Sequence, residues 1–236
     1  MRSYDDACGI TRALDIVGER WALPVVRELV FGPRRYSDLA AALPGVSTNI
    51  LGDRLKHLAG AGVVRKRRLS PPAAATVYEL TPWGAALEPA LIALGAWAAH
   101  TPVDLEQQAF SPASFALSLK TTFDAAAARD ADLRVQFVMG HDEFDARIED
   151  ATFTIGRIHD SAGMFDAVHE ESSRAAGAGP TRVHADPKTL AAVIYGGLDP
   201  VAAVRAESAR IEGMPSTVAS FVQCFTLPEP PKEGSS

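Results

Sequence analysis

Ser47–Leu80 reads STNILGDRLKHLAGAGVVRKRRLSPPAAATVYEL, and this stretch decides the fold of the first part of the chain. Leu51, Leu55 and Leu58 recur at helical spacing behind Ser47, a favourable N-cap, and glycines follow them. Two runs that contain β-branched residues come next, joined by prolines and alanines, and this pattern is typical of a β-hairpin. The stretch therefore predicts a helix followed directly by a two-stranded wing.

Three helical segments precede this stretch. Apolar residues recur every three or four positions from Ile10 to Val17, from Trp21 to Leu29, and through a short helix that starts with Arg34. Glycine and proline separate these segments and end the helices. Helices followed by a two-stranded wing have the order of a winged helix-turn-helix, so the first 100 residues predict that fold.

The polar face of the Ser47 helix and the cations of the wing predict contacts with DNA. Short polar groups at a helix start can bond to phosphates and read base edges, where asparagine suits adenine and lysine suits guanine. Cations beside the sugar-phosphate backbone release counterions and add salt-dependent affinity. The predicted DNA-binding residues are Arg34, Arg35, Tyr36, Ser47, Thr48, Asn49, Asp53, Lys56, His57, Arg65, Lys66, Arg67 and Arg68. For any one of these charges, the alternative is an ordinary solvated surface residue.

The composition of the chain predicts two globular modules with different partners. Of 236 residues, 47% are apolar, so sizeable cores can be buried. Residues 1–100 carry twelve Lys and Arg against nine Asp and Glu, whereas residues 101–236 carry eleven against twenty. The two cysteines lack metal-ligand spacing, no apolar run reaches eighteen residues, and the first ten residues lack a secretory core. We therefore expect a cytoplasmic protein with no membrane partner.

The residues after position 110 predict a second module. Ser111-Pro112 is a typical helix start, and alternating segments at 133–140, 142–149 and 151–158 predict an antiparallel meander. Shorter strands are predicted near 181–186 and 209–213, with helices between and after them. The fold class is therefore α+β, with a winged helix-turn-helix domain at 1–100, a linker at 101–110, an α/β domain at 111–226 and a disordered tail at 227–236.

Aromatic and methionine side chains concentrate in this second module. They suggest a pocket for a small apolar molecule, and the alternative for each residue singly is an ordinary core. The predicted ligand-binding residues are Phe115, Leu119, Phe123, Phe137, Met139, Phe153 and Phe221. No nucleophile with a base, phosphate-binding loop or metal-ligand spacing stands out, so the sequence predicts neither an enzyme nor a cofactor.

The segments TRALDIVGERWALPVVRELVFGPRRYSDL and VYELTPWG, with the Ser47 helix between them, resemble the HxlR-type transcriptional regulators over residues 5–100. The resemblance implies a homodimer on an operator in double-stranded DNA, joined through the first helix and a last helix predicted at 82–99. The interface residues would be Ile10, Leu14, Leu87, Leu91, Leu94 and Trp97. Several such regulators sense oxidants through a cysteine near the N-terminus, which gives Cys8 a redox role as an alternative.

The order of elements after position 110, above all ADPKTLAAVIYGGLDPVAAV and ARIEGMPSTVASFVQCF, resembles the sterol carrier protein type domain over residues 111–226. Such domains place helices over a mainly antiparallel sheet, and related members hold apolar ligands between the layers. The combined hypothesis is a dimeric repressor controlled by a small apolar molecule. Two alternatives stay open: a redox-sensing regulator, and a small-molecule carrier with secondary DNA binding.

Overall fold

A computed structural model describes residues 4–70, 74–158 and 179–228. The chain divides into two compact units, residues 1–93, called here the winged unit, and residues 94–236, called the C-terminal unit. This division falls inside a helix, and the domain limits given above stay a prediction. The tip of the expected wing at 71–73, the segment 159–178 and the tail from 229 lie outside the described residues.

The winged unit follows the helical order that the sequence predicts. Its elements, the last of which extends past residue 93, are α1 (Gly9–Val17), α2 (Ala22–Val30), β1 (Arg34–Arg35), α3 (Tyr36–Ala42), α4 (Thr48–Gly60), β2 (Val64–Arg68), β3 (Thr76–Leu80), α5 (Pro82–Ala85) and α6 (Glu88–Ala98). Apolar residues spaced along α2, α3 and α4 form its core, among them the fully buried Val25, Leu39 and Leu51. This core holds α4 with one face inward and the other face open.

Side-chain caps fix where two helices of the winged unit begin. The hydroxyl of Ser47 accepts a hydrogen bond from the Ile50 N–H, with 3.3 Å between the two heavy atoms. The hydroxyl of Thr81 likewise accepts the Gly84 N–H at 3.0 Å and donates to the Gly62 carbonyl at 2.6 Å. The exit from the hairpin is therefore tied to the end of α4.

The wing, which we define as β2 and β3, belongs to a sheet of three strands and not two. The strand order is β1-β3-β2 and both pairings are antiparallel, with Arg34 opposite Tyr78 and Arg35 opposite Val77. Arg34 and Arg35 therefore form β1 before α3 begins, whereas the sequence placed them at the start of the helix. A strand of two residues is too short to produce a periodic pattern, so no strand could be predicted there.

The helix expected at 82–99 is interrupted. α5 ends at Ala85, and α6 begins at Glu88, directly before Pro89. Proline has no backbone N–H to donate to the carbonyl four residues earlier, and its ring crowds that carbonyl. Pro89 is tolerated in the first turn of α6 but not inside one continuous helix, so two helices form.

The C-terminal unit contains a mixed five-stranded sheet with helices packed against it. Its further elements are α7 (Pro112–Thr122), β4 (Leu133–Met139), β5 (Asp142–Glu149), β6 (Thr152–Ile158), β7 (Thr181–Ala185), α8 (Pro187–Tyr195), α9 (Pro200–Arg205), β8 (Ala209–Glu212) and α10 (Pro215–Val222). The strand order is β6-β5-β4-β7-β8, and β4 and β7 run parallel while the other neighbours are antiparallel. Across the described residues, every helix is too short or too polar to span a lipid bilayer.

Phenylalanine rings form the core between α7, α10 and the sheet. The Phe221 ring lies 5.6 Å from that of Phe137 and 4.7 Å from that of Phe225, measured between centroids. Phe115 meets Phe137 edge to face at 5.1 Å, and Phe153 meets Phe225 at 5.1 Å. Because aromatic pairs in these geometries add to the free energy of burial, this cluster anchors the helices on one face of the sheet.

Candidate nucleic-acid interface

The open face of α4 carries most of the polar residues that the sequence assigned to DNA contact. Thr48, Asn49, Asp53 and Lys56 are all exposed, while Leu51, Leu55 and Leu58 on the opposite face are buried. Asn49, Asp53 and Lys56 follow one another at spacings of four and three, so they line a single stripe. Ser47 is exposed too, but its hydroxyl accepts the backbone bond that caps the helix.

Ile50 also lies on the outer surface of α4, with 43% of the residue exposed. Ile50 is not among the residues predicted to contact DNA, because that prediction rests on polar side chains only. The signal was present, since Ile50 falls outside the spacing of Leu51, Leu55 and Leu58. An apolar group on this surface can contact the methyl group of thymine.

His57 is directed toward α1. Its Nε2 lies 3.0 Å from the carbonyl oxygen of Ile16 and donates to it, because a carbonyl can only accept. Arg54, one turn earlier, lies 3.6 Å from the Glu19 carboxylate, and 16% of its side chain is exposed. These two side chains hold α4 against the preceding segment, so the structure places His57 away from the stripe that contains Asn49.

Tyr36 positions the first turn of α4. Its hydroxyl donates to the Thr48 carbonyl oxygen at 2.6 Å, which links the start of α3 to the start of α4. The preceding residue, Arg35, is exposed, and its backbone N–H donates to the Asp38 carboxylate at 3.2 Å. Arg35 therefore leaves its guanidinium at the surface beside the two helix starts, while Tyr36 fixes their spacing.

Glu79 divides the four cations of the wing into two pairs. The Glu79 carboxylate accepts from Arg65 Nε at 2.6 Å and from Arg67 Nε at 2.9 Å, and Arg67 reaches it again at 2.8 Å. Burial raises the pKa of Glu79, but hydrogen bonds from Arg67 and Arg65 lower it more, so the pKa lies below its ordinary value. Two of the cations are thus partly neutralised within the wing.

The other pair, Lys66 and Arg68, points to the opposite face of the hairpin. Both side chains are exposed, and neither forms an ion pair within the described ranges. The ammonium of Lys66 lies 6.0 Å from the ring centre of Tyr78, which is opposite it in β3. Lys66 and Arg68 are therefore the wing cations with the most charge available to a phosphate.

The residues assigned to a dimer interface differ in their exposure. Ile10 on α1 and Trp97 on α6 are 72% and 76% exposed, and Leu14 and Leu94 are exposed as well. Leu87 is half-buried, and Leu91 is buried within the chain itself, so it adds little accessible apolar surface. Large exposed apolar side chains of this kind are common where a second protein surface binds.

Cys8 is the N-cap residue of α1, and its thiol is exposed. The N–H groups of Ile10 and Thr11 lower the pKa of the Cys8 thiol, because they favour the thiolate. Cys224 is buried, and burial together with the Asp124 carboxylate raises the pKa of its thiol. Of the two thiols, Cys8 is therefore both the more accessible to solvent and the one whose pKa favours the thiolate.

Ring contacts join five of the seven residues assigned to an apolar ligand, namely the phenylalanines, and the other two, Leu119 and Met139, are buried. Five of the seven residues are buried in the hydrophobic core: Phe115, Leu119, Phe137, Met139 and Phe221. Phe123 and Phe153 are half-buried and stack with ring centres 5.4 Å apart. These two rings are the members of the set that retain accessible surface.

Comparison with known proteins assigns the winged unit. The family model of the HxlR-like helix-turn-helix matches residues 16–104. YvaP of Bacillus subtilis, an HTH-type transcriptional regulator, is 38% identical over 87 residues, which are 37% of this chain and 81% of that protein. YodB, another HTH-type transcriptional regulator of Bacillus subtilis, is 30% identical over 86 residues, which are 36% of this chain and 77% of YodB.

A solved structure of YodB, in its reduced form, is also similar. It is 28% identical, with a TM-score of 0.37, and the match covers 42% of this chain and 100% of the YodB chain. The family match ends at residue 104 and so includes only the first residues of the C-terminal unit. On the sequence match and the helix and wing described above, the chain belongs to the HxlR-like helix-turn-helix family of DNA-binding transcriptional regulators.

Proposed function

We propose that this DNA-binding transcriptional regulator is a homodimeric repressor whose hold on its operator is weakened by a small apolar molecule bound in the C-terminal unit. The observation that carries the proposal is the open stripe of Asn49, Asp53 and Lys56 on α4, next in the chain to a wing with exposed cations. The stripe offers groups for base edges, and the wing offers charge for phosphates.

The wing supplies affinity in this proposal, and α4 supplies the choice of sequence. Lys66 and Arg68 would neutralise phosphates beside the groove, and each such contact releases counterions whatever the base sequence. Asn49 in the first turn of α4 would donate to and accept from an adenine edge, which depends on the sequence. Arg34 and Arg35 would contact the phosphates that flank the groove.

The dimer would form through the exposed apolar side chains of α1 and α6. Ile10, Leu14, Leu94 and Trp97 are large, apolar and accessible to solvent in the single chain. Burial of such surface in a dimer would contribute about 25 cal/mol per Å² of apolar area to association. A two-fold dimer would then present two copies of α4 to half-sites about 10 base pairs apart.

The ligand would bind beside Phe123 and Phe153. These stacked rings are half-buried next to a fully buried aromatic core, which is the composition of a site for an apolar molecule. The resemblance to sterol carrier type domains, whose related members hold apolar ligands between the helices and the sheet, supports an apolar ligand in this unit. The ligand would release DNA only to the extent that it binds one conformation of the dimer more tightly than the other.

Selection from a random pool of DNA duplexes tests the DNA-binding part. We expect the purified protein to enrich one sequence with two related half-sites, and sedimentation to give a dimer on one duplex. A protein that enriches no sequence, or that occupies a single half-site as a monomer, would contradict the proposal. Mass spectrometry of the protein as purified tests for a bound apolar compound. The Phe153→Asp variant should be purified without that compound.

A redox-sensing regulator is the second candidate, and the exposed Cys8 thiol with its lowered pKa favours it. Since a lowered pKa leaves more thiolate at a given pH, Cys8 should react with iodoacetamide at lower pH than a free cysteine does, whereas Cys224 should react only after unfolding. If oxidation releases DNA from the native protein but not from Cys8→Ser, the redox function holds. Release that is equal in both proteins rules it out.

A further inference from the structure

Ile50 lies in the first turn of α4, where the residues of a recognition helix reach base edges. On the basis of the proposed function, we propose that Ile50 contacts the 5-methyl group of a thymine in each half-site and so determines the sequence preference of the protein at that base pair.

The backbone fixes the direction of the Ile50 side chain. Its N–H donates to the Ser47 hydroxyl in the helix cap, and the adjoining Leu51 is fully buried in the core. Tyr36 secures the same turn through the Thr48 carbonyl. Isoleucine in a helix strongly prefers one χ1 rotamer, so its branched end is presented to the surface with little freedom.

The chemistry of the surroundings selects the thymine methyl group. The exposed neighbours of Ile50 on α4 are polar: Asn49 precedes it, and Asp53 lies about one turn later. The thymine methyl is the apolar group among the donors and acceptors that bases present in the major groove. A 43% exposed isoleucine on a face that is otherwise suited to hydrogen bonds is therefore best matched by that methyl.

The other large exposed apolar residues of the winged unit do not share this setting. Tyr4 precedes α1, and Trp83 lies on α5, so both are on other elements than α4. Ile10 and Leu14 lie on α1, where the dimer is proposed. An isoleucine used for dimerisation would be expected with these residues rather than beside Asn49. The position of Ile50 on α4 therefore indicates a role in DNA contact and not in dimerisation.

Replacement of thymine by uracil removes the methyl group and leaves every hydrogen-bonding group in place. The probe is the duplex that the wild-type protein enriches from a random pool, with each thymine replaced in turn. Loss of one buried methyl should weaken wild-type binding about fourfold at one position of each half-site. The Ile50→Ala protein should bind the thymine and uracil duplexes equally, and Ile50→Val should keep part of the difference.

Lys56→Ala is the matched control on the same helix face. It should weaken binding to both duplexes and keep the fourfold ratio between them, since a lost cation does not sense the methyl group. The thermal midpoint of Ile50→Ala should equal that of the wild type, because the side chain is exposed. The inference is overturned if no uracil position weakens the wild type, or if Ile50→Ala keeps the full sensitivity. If no duplex is enriched at all, the proposed function itself fails, and this inference falls with it.

Discussion

Glu79 controls how much of the positive charge of the wing is available to another molecule. Its carboxylate is nearly buried between Arg65 and Arg67, so it stabilises the hairpin and lowers the charge of one face. Glu79→Gln should therefore have two opposite effects. The free energy of unfolding should fall by roughly 1–3 kcal/mol, as hydrogen bonds to a charged group are lost, while affinity for DNA at low salt should rise because two arginines are released.

Urea unfolding and fluorescence anisotropy measure these two effects. Glu149→Gln is the control, because Glu149 is an exposed acid of the C-terminal unit and its substitution changes the net charge of the chain by the same amount. If Glu79→Gln and Glu149→Gln raise DNA affinity equally, the local role of Glu79 is refuted.

The lowered pKa of Glu79 also predicts a pH dependence. A carboxyl whose pKa is lower in the folded state contributes stability above its ordinary pKa of 4.5, and this contribution is lost as the pH falls through the folded value. The difference in unfolding free energy between wild type and Glu79→Gln should therefore be constant above pH 4.5 and shrink below it. Thermal or urea unfolding at a series of pH values gives this difference. If this difference in unfolding free energy stays constant on acidification, ionisation of Glu79 does not contribute to stability.

Gly84 is the residue that lets α5 approach the end of α4. A Cβ at this position would overlap the carbonyl oxygen of Val63, a backbone atom that cannot move aside cheaply. Gly84→Ala should lower the free energy of unfolding by about 1–3 kcal/mol or more. Gly52→Ala, in α4 with open space around its Cβ position, should raise it by roughly 0.5–1 kcal/mol. Urea denaturation of both variants measures the two changes in unfolding free energy. Equal changes would contradict a close approach of α5 to the end of α4.

At the scale of elements, periodicity along the sequence predicts the local structures and says little about their pairing. The strand segments at 133–140, 142–149 and 151–158 correspond to β4, β5 and β6 because alternation of apolar and polar residues is a local property. The parallel pairing of β4 with β7 joins segments more than 40 residues apart, and no local pattern encodes it. The strand order of the sheet could therefore be determined only from the structure.

Part of the candidate site could have been read more closely from the sequence. In TVYEL, Glu79 alternates with Val77, which predicts that both lie on the same face of β3, and hairpin pairing places Arg65 opposite Glu79. The division of the wing cations into two pairs could therefore have been predicted from the pairing register of β2 and β3. The turn of His57 toward Ile16 was not, because it depends on how α1 packs against α4.

α10 attaches to the sheet of the C-terminal unit through Phe221. This ring is fully buried and contacts the rings of Phe137, Phe153 and Phe225. Phe221→Ala should lower the unfolding free energy of this unit by about 3–5 kcal/mol, through lost burial and the cavity that remains. Urea unfolding followed by circular dichroism measures the change, with the exposed Leu227→Ala as a control that should cost little. If Phe221→Ala lowers the unfolding free energy by less than the control does, Phe221 does not anchor α10 to the sheet.

At the scale of the whole molecule, the two units differ in charge as well as in fold. Acidic residues are in excess only after residue 100, while the cations assigned to DNA contact lie before it. This separation favours an acidic C-terminal unit that does not itself bind DNA, because like charge repels the phosphates. The central claim is therefore that the winged unit binds DNA, with affinity from the wing and sequence choice from α4.

The measurement that tests this claim most directly is the affinity for the enriched duplex and for a scrambled duplex over a range of salt concentrations. For the wild type, log K should fall linearly with log salt, and Arg68→Ala should weaken both duplexes alike and reduce the slope by about 0.9. Asn49→Ala should weaken only the enriched duplex, by about 1–3 kcal/mol. Binding that is independent of salt, or variants that leave both affinities unchanged, would contradict the account.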